Sequence, residues 1–203
     1  MKKTFYLLSL ILLIASCTRK TNYPVNSDLK SSFSYKPGTY WIYRDSISGE
    51  MDSFYVTEQH LDNYKNEAEN YTYDQIGTYI CQVSLDSNLS DTSKWRISIL
   101  KNQIYVEWSW YSNEDYFLFG PIQYPFVVKK NGDENNRVVA IIPNYDINGI
   151  TFSNIAVCNS DTVSQVYATI QINADAGIIK INGRSTMGSG HKIWELQRWH
   201  LVR

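Results

Sequence analysis

The chain has 203 residues, with 19 Lys and Arg against 20 Asp and Glu, for a formal net charge of −1. That near-neutral balance, with basic residues scattered rather than clustered, excludes the electrostatic footprint of a nucleic-acid binder. Hydrophobic residues make up 43% and tyrosine alone occurs 16 times, a composition that suits a packed domain rich in half-buried pleated surface.

The chain opens "MKKTFYLLSLILLIASC". Lys2 and Lys3 form a positive start, and Phe5 to Ile14 an apolar run of signal-peptide length, too short to span a bilayer as a helix. Ile14-Ala15-Ser16-Cys17 resembles the bacterial lipobox, an aliphatic residue and two small ones before a cysteine, and the resemblance implies the following processing. The small residues admit a peptidase to the backbone. The Cys17 thiol then takes a diacylglyceryl group and becomes the new N-terminus. One myristoyl-length chain binds a membrane only marginally, whereas a triacylated cysteine supplies three chains and a lasting anchor. Thr18 stands where aspartate would mark inner-membrane retention, and no acidic cluster follows. The expected location is the cell envelope, lipid-anchored, at the outer membrane and facing the periplasm.

Residues 1–16 are therefore read as signal peptide, 17–34 as a lipid-anchored flexible tether, and 35–203 as one β domain. The tether is assigned because "TRKTNYPVNSDLKSSFS" has too few apolar residues to offset its ordering entropy.

From there the pattern is alternation broken by Gly, Asn, Asp and Pro. "GTYWIYRDSI" and "EMDSFYVTE" form a hairpin about Ser48-Gly49. "EQHLDNYKNEAENY" is polar and lacks a helical stripe. "TYICQVSL" follows. "KWRISIL" and "QIYVEWSW" put Trp95, Ile97, Ile99, Ile104, Val106, Trp108 and Trp110 on one face and Tyr105, Glu107 and Ser109 on the other. "SNEDYFLFGPIQYPF" carries two prolines and is excluded from a sheet centre. "RVVAIIP", "GITFSNIAVCN" and "VSQVYATIQIN" are further strands, the last with Val166, Ala168, Ile170 and Ile172 aligned. "ADAG" turns into "IIKING", pairing Ile179 with Ile181 and placing Gly177 in a turn at positive φ or at a tight strand entry. "HKIWELQRWHLV" ends the chain with Trp194 and Leu196 inward.

About ten strands on short connections predict an all-β, antiparallel fold. With no helix to cover a face, a curved sheet in barrel or half-barrel form resolves the exposed edges.

Candidate chemistry is thin. Cys81 and Cys158 are the one pair available for a disulfide in an exported protein, although Cys158 falls out of phase with Ile155 and Val157. His60, His191 and His200 have no metal-ligand spacing. Ser189 near His191 lacks nucleophile-elbow context, and Asp133 with Glu134 lacks an EF-hand pattern. No catalytic residue, metal or cofactor is predicted. The aromatic run supplies a candidate ligand or partner face at Trp108, Trp110, Tyr116, Phe117 and Phe119.

"NGITFSNIAVC", "YATIQINADAGIIKI" and "IWELQRWHLV", with the opening "YKPGTYWIYRDSISGEMDSF", resemble uncharacterised cell-envelope lipoproteins of Bacteroidota. Those chains share a G-[IL]-[IV]-K strand start, here at Gly177, and a terminal W-x-L, here Trp194 to Leu196. The resemblance implies fold and compartment, not an activity. The expected role is a non-enzymatic interaction or structural module, held to the membrane by N-terminal acyl chains and meeting an envelope protein or lipid. The alternative is a carrier or sensor with a hydrophobic ligand inside the curved sheet. A solid interior favours the first, and a cavity of about 300 Å³ or more the second.

Overall fold

The computed structural model describes residues 21–66, 71–84, 94–109, 116–130, 137–160, 168–184 and 191–203. In chain order these form β1 (Thr21–Tyr23), helix α1 (Ser27–Phe33), β2 (Tyr40–Asp45), β3 (Met51–Asn66), β4 (Tyr71–Ser84), β5 (Lys94–Leu100), β6 (Gln103–Ser109), β7 (Tyr116–Gln123), β8 (Val138–Ile147), β9 (Ile150–Asn159), β10 (Ala168–Asn173), β11 (Gly177–Arg184) and β12 (His191–His200). The spatial order is β7-β6-β5-β4-β3-β2-β12-β11-β10-β9-β8, with β1 added in parallel to β4. Every neighbour along the main path is antiparallel.

The sheet curls almost into a barrel and leaves one seam, between β7 and β8. Both seam strands contain proline, Pro121 in β7 and Pro143 in β8. Proline brings no N–H to a ladder and belongs on edges. Across the gap the Arg137 N–H donates to the Pro121 carbonyl at 2.9 Å.

Local chemistry sets the turns. Asn148 and Gly149 both have positive φ (53° and 78°), the Asn-Gly geometry that suits a two-residue hairpin. Gly49 turns β2 into β3 at φ 81°, as the sequence leads one to expect. Gly177 starts β11 at φ 85°, also as expected. A Cβ there would lie 2.9 Å from Tyr35 Oη and 3.2 Å from Trp41 Nε1, so glycine answers both a backbone and a packing demand.

Alternation fills the interior. The β5–β6 register pairs Trp95 with Trp108, Ile97 with Val106 and Ile99 with Ile104, in the expected phase. Trp95, Ile97, Ile99, Ile104 and Val106 are all buried, as are Ile179, Ile181, Trp194 and Leu196. Val166 and Trp110 lie outside the described residues.

Two expectations are corrected. The tether assigned to 17–34 is folded from Thr21 onward: β1 pairs with β4, and α1 follows. Asn26 caps the helix, its Oδ1 accepting from the Asp28 and Leu29 N–H groups at 2.9 and 3.1 Å. Leu29 and Phe33, four residues apart, share the buried face, and Tyr35 follows, also buried. Phe33 and Tyr35 reach the interior between Ile97 and Ile104 on one wall and Ile172 and Ile178 on the other. This segment therefore closes the barrel core rather than trailing from it.

The cysteine pair is the second correction. Both thiols are free. Cys81 alternates with buried Ile80 and so lies on the outer side of β4, while Cys158 is fully buried opposite Ile170. The two sit on opposite faces of the wall and cannot be bridged. Neighbouring Ile155 and Ala156 are both buried, and the register against β8 shifts between Val138 and Ala140, opposite Cys158 and Val157, so phase counted from Ile155 misplaces Cys158. Burial pushes the Cys158 thiol up to about 12.

Candidate functional site

The interior is packed with side chains. Trp41, Tyr43, Phe54, Trp95 and Ile181 surround a void with about 10 Å³ of water-sized space, at the lower limit for one water molecule. Trp41 Nε1 donates to the Ala176 carbonyl at 2.7 Å, and Tyr43 Oη to that of Ile178 at 2.6 Å. Burial raises the pKa of Tyr43 well above the usual phenol value, with Tyr35 adding to the effect. Burial likewise raises Tyr35, against the pull of Arg203, and the Tyr35 hydroxyl has no hydrogen-bond partner. These groups stay neutral at any physiological pH. They serve as core.

The expected aromatic face does not assemble as a surface where it is described. Phe119 is fully buried in the core. Its alternation in edge strand β7 points it inward opposite Val106. Trp108, Tyr116 and Phe117 are placed by backbone register alone, Trp108 opposite Phe117 and Ser109 opposite Tyr116, and their side chains lie outside the described residues, as does Trp110.

A different aromatic surface lies outside the barrel. Ile76, Thr78 and Ile80 of β4 point inward and are buried. Alternation turns Tyr71, Tyr73, Gln75, Gly77 and Tyr79 outward. A register shift in β3 between Val56 and Glu58 brings Glu58 opposite Tyr79, His60 opposite Gly77, Asp62 opposite Gln75 and Tyr64 opposite Tyr73. A bulge of this kind re-aims every side chain beyond it. On β5 and β6, Arg96, Ser98, Tyr105 and Glu107 share the same outer side.

Rings and cations interleave here. Tyr64 stacks on Tyr73 at 5.3 Å between centroids, Tyr71 lies 6.0 Å from Tyr73, and Tyr23 of β1 meets Tyr71 edge-on at 5.7 Å. Lys101 Nζ sits 4.5 Å from the Tyr23 ring and 5.3 Å from that of Tyr71, within cation–π range. Farther along, the Arg96 guanidinium lies 5.3 Å over Tyr79 and 3.7 Å from Glu107, and His60 meets Tyr79 edge-on at 5.6 Å. Burial raises the Tyr105 phenol, and Tyr73 raises it further. Gly77 and Ser98 face each other across β4 and β5 with little side chain between them. Ser98 is buried, and neither its hydroxyl nor Arg96 Nε has a partner.

The histidines are dispersed. His60 pairs with Glu58 at 3.0 Å, His191 with Asn182, and His200 stacks near Tyr40 at 5.8 Å. Among the described residues no three His, Cys, Asp or Glu side chains gather as a metal site. Ser189, Asp133, Glu134 and Cys17 lie outside the described residues. The outer face offers stacking, cation–π and hydrogen-bonding groups, which is equipment for recognition.

No family model matches the chain, and comparisons with curated proteins and with solved structures returned no match.

Proposed function

We propose that this chain is a lipid-anchored cell-envelope protein, fixed to the outer membrane through Cys17 and facing the periplasm, that works as a non-enzymatic interaction module. The observation that carries this reading is the division of its aromatic residues. Among the described residues, the inner set leaves about 10 Å³ of free space where Trp41, Tyr43, Phe54 and Trp95 meet, and the outer tyrosines are held in place by cation–π pairs. A carrier of hydrophobic ligands needs the inner volume, at some hundreds of Å³. An interaction module needs the outer face. Inward apolar and outward polar alternation is also the reverse of a barrel dissolved in lipid.

Native mass spectrometry of the chain extracted from its envelope tests the reading, run beside the Cys17→Ser variant. The expected result is a triacylated mass for the parent and a soluble, lipid-free variant. A noncovalent lipid retained by the detergent-free variant overturns the module in favour of the carrier. A variant that stays with membranes after a salt wash overturns the anchor.

A further inference from the structure

The folded N-terminus sets how far the body can stand from its membrane. From Cys17 to Thr21 there are four backbone steps, which span at most about 14 Å when fully extended. The interfacial layer of a leaflet is itself roughly 5–8 Å deep. With Cys17 acylated, Thr21 is therefore held beside the headgroups whatever course the connecting residues take. Thr21 pairs with Tyr71, and Tyr23 with Tyr73. The anchor thus holds one particular end of the molecule at the lipid: the end where β3 turns into β4.

That end has the chemistry of a membrane interface. Tyr23 is 41% exposed and Tyr64 is 40%, with Tyr73 stacked on Tyr64, Tyr71 edge-on to Tyr23 and Lys101 against the rings. Tyrosine is enriched at headgroup level because its ring is apolar and its hydroxyl is wet. A lysine there faces the phosphates. We infer that the Tyr23–Tyr64–Tyr71–Tyr73 cluster, with Lys101, rests on the lipid headgroups as a second, noncovalent contact that orients the barrel on the membrane. This rests on the anchored reading above.

The same outer face contains its own control. Tyr55 is also 40% exposed and lies opposite Cys81, ten residues along β4 from Tyr71. At about 3.3 Å per residue that is roughly 33 Å away. Tyr55 and its cross-strand neighbour Tyr40 stay in water while the cluster is covered.

Hydroxyl-radical footprinting read by mass spectrometry tests this on the acylated full chain, bound to phosphatidylethanolamine–phosphatidylglycerol vesicles, against the Cys17→Ser chain in solution. Oxidation of Tyr23, Tyr64 and Tyr71 is expected to fall at least three-fold on vesicles while Tyr55 is unchanged. Double substitution Tyr64→Ala, Lys101→Gln is expected to restore oxidation at Tyr71 with flotation intact. Equal oxidation of Tyr64 and Tyr55 in a chain that floats with the vesicles overturns the headgroup contact and leaves the anchor standing. An acylated chain that fails to float overturns both. Protection already present in the dissolved Cys17→Ser chain assigns the cluster to a second protein copy and also overturns the proposal.

Discussion

The sheet consists of two meanders that meet along β2 and β12. β2 to β7 run in sequence on one side of that line, and β12 back to β8 on the other. The first is the richer in rings: Trp41, Tyr43, Phe54, Trp95 and Phe119 share its inner face with Ile76, Ile80, Ile97, Ile99 and Ile104, and tyrosines cover much of its outer face. The second is largely aliphatic inside, with Ile155, Ile170, Ile172, Ile178, Ile179 and Ile181, alongside Trp194 and Leu196 of β12. Broad rings span the barrel from one wall and branched aliphatic residues meet them from the other. The first half therefore carries the broad rings of the core and those of the outer face. The aliphatic half serves as its backing.

Substitutions on the two sides should separate these roles. Trp95→Ala in the aromatic wall is expected to cost about 3–5 kcal/mol, since a large fully buried ring is lost next to Phe54. Denaturant unfolding measures it, and a loss below about 1 kcal/mol would mean that the aromatic wall is not what holds the core.

The line where the meanders join depends on Asp45. Burial opposes its ionisation, but hydrogen bonds from Ser48 Oγ and from the N–H groups of Ile193, Ile47 and Ser48 outweigh this and hold its pKa below the usual carboxylate value. A folded pKa below the unfolded one contributes stability that is present above about pH 4 and is lost as pH falls through the folded value. Asp45→Asn is expected to cost about 1.5–3 kcal/mol at neutral pH and to flatten the acid limb of a melting-temperature profile. Parallel acid limbs for the two proteins would show that this carboxylate does not link the halves.

Gly177 of β11 lies against Tyr35 and Trp41. Gly177→Val introduces a β-branched residue at φ 85° and a Cβ against Tyr35 and Trp41, with an expected cost of about 1–3 kcal/mol. An unchanged melting temperature contradicts the close contact. Ile170→Val, inside the aliphatic half, is expected to cost only about 0.5–1.5 kcal/mol. Tyr64→Ala, on the outer face, should stay within about 0.5 kcal/mol in the same assay. A loss at Tyr64 as large as that at Trp95 would make the outer tyrosines structural and remove the reason to treat them as a surface for recognition.

Strand phase was legible in the sequence wherever alternation runs unbroken, as along "KWRISIL" and "QIYVEWS", because one buried face imposes period two. It failed at Cys158, because Ile155 and Ala156 are buried in succession and the β8–β9 register shifts beside them, a break in alternation that no residue count reveals. The helix was hidden for another reason: "SDLKSSF" is polar in composition, and its two apolar residues matter only through their four-residue spacing behind the Asn26 cap. The outer tyrosine face was hidden by the same alternation that made the core readable. Side chains pointing away from a core read as solvent-facing, and the sequence does not display that tyrosines from β1, β3, β4 and β6 converge. The expectation at Phe119 treated sequence density of aromatics as surface, and the pleat turned that ring inward.

Two segments far apart in sequence are bonded to each other. Thr39 Oγ1 donates to the Val202 carbonyl at 3.1 Å and the Val202 N–H donates back at 2.8 Å, across 163 residues of sequence, and β2 lies against β12. Contacts of such separation are slow to form, because loop closure must precede their reward. A chain made from its N-terminus forms β2 and β3 before β12, so one edge of β2 waits unpaired until β12 has followed. During that interval the aromatic meander has one wall of its core and no opposing one, and Trp41 and Tyr43 face water. The β2 edge is thus a timed vulnerability, open until β12 pairs with it.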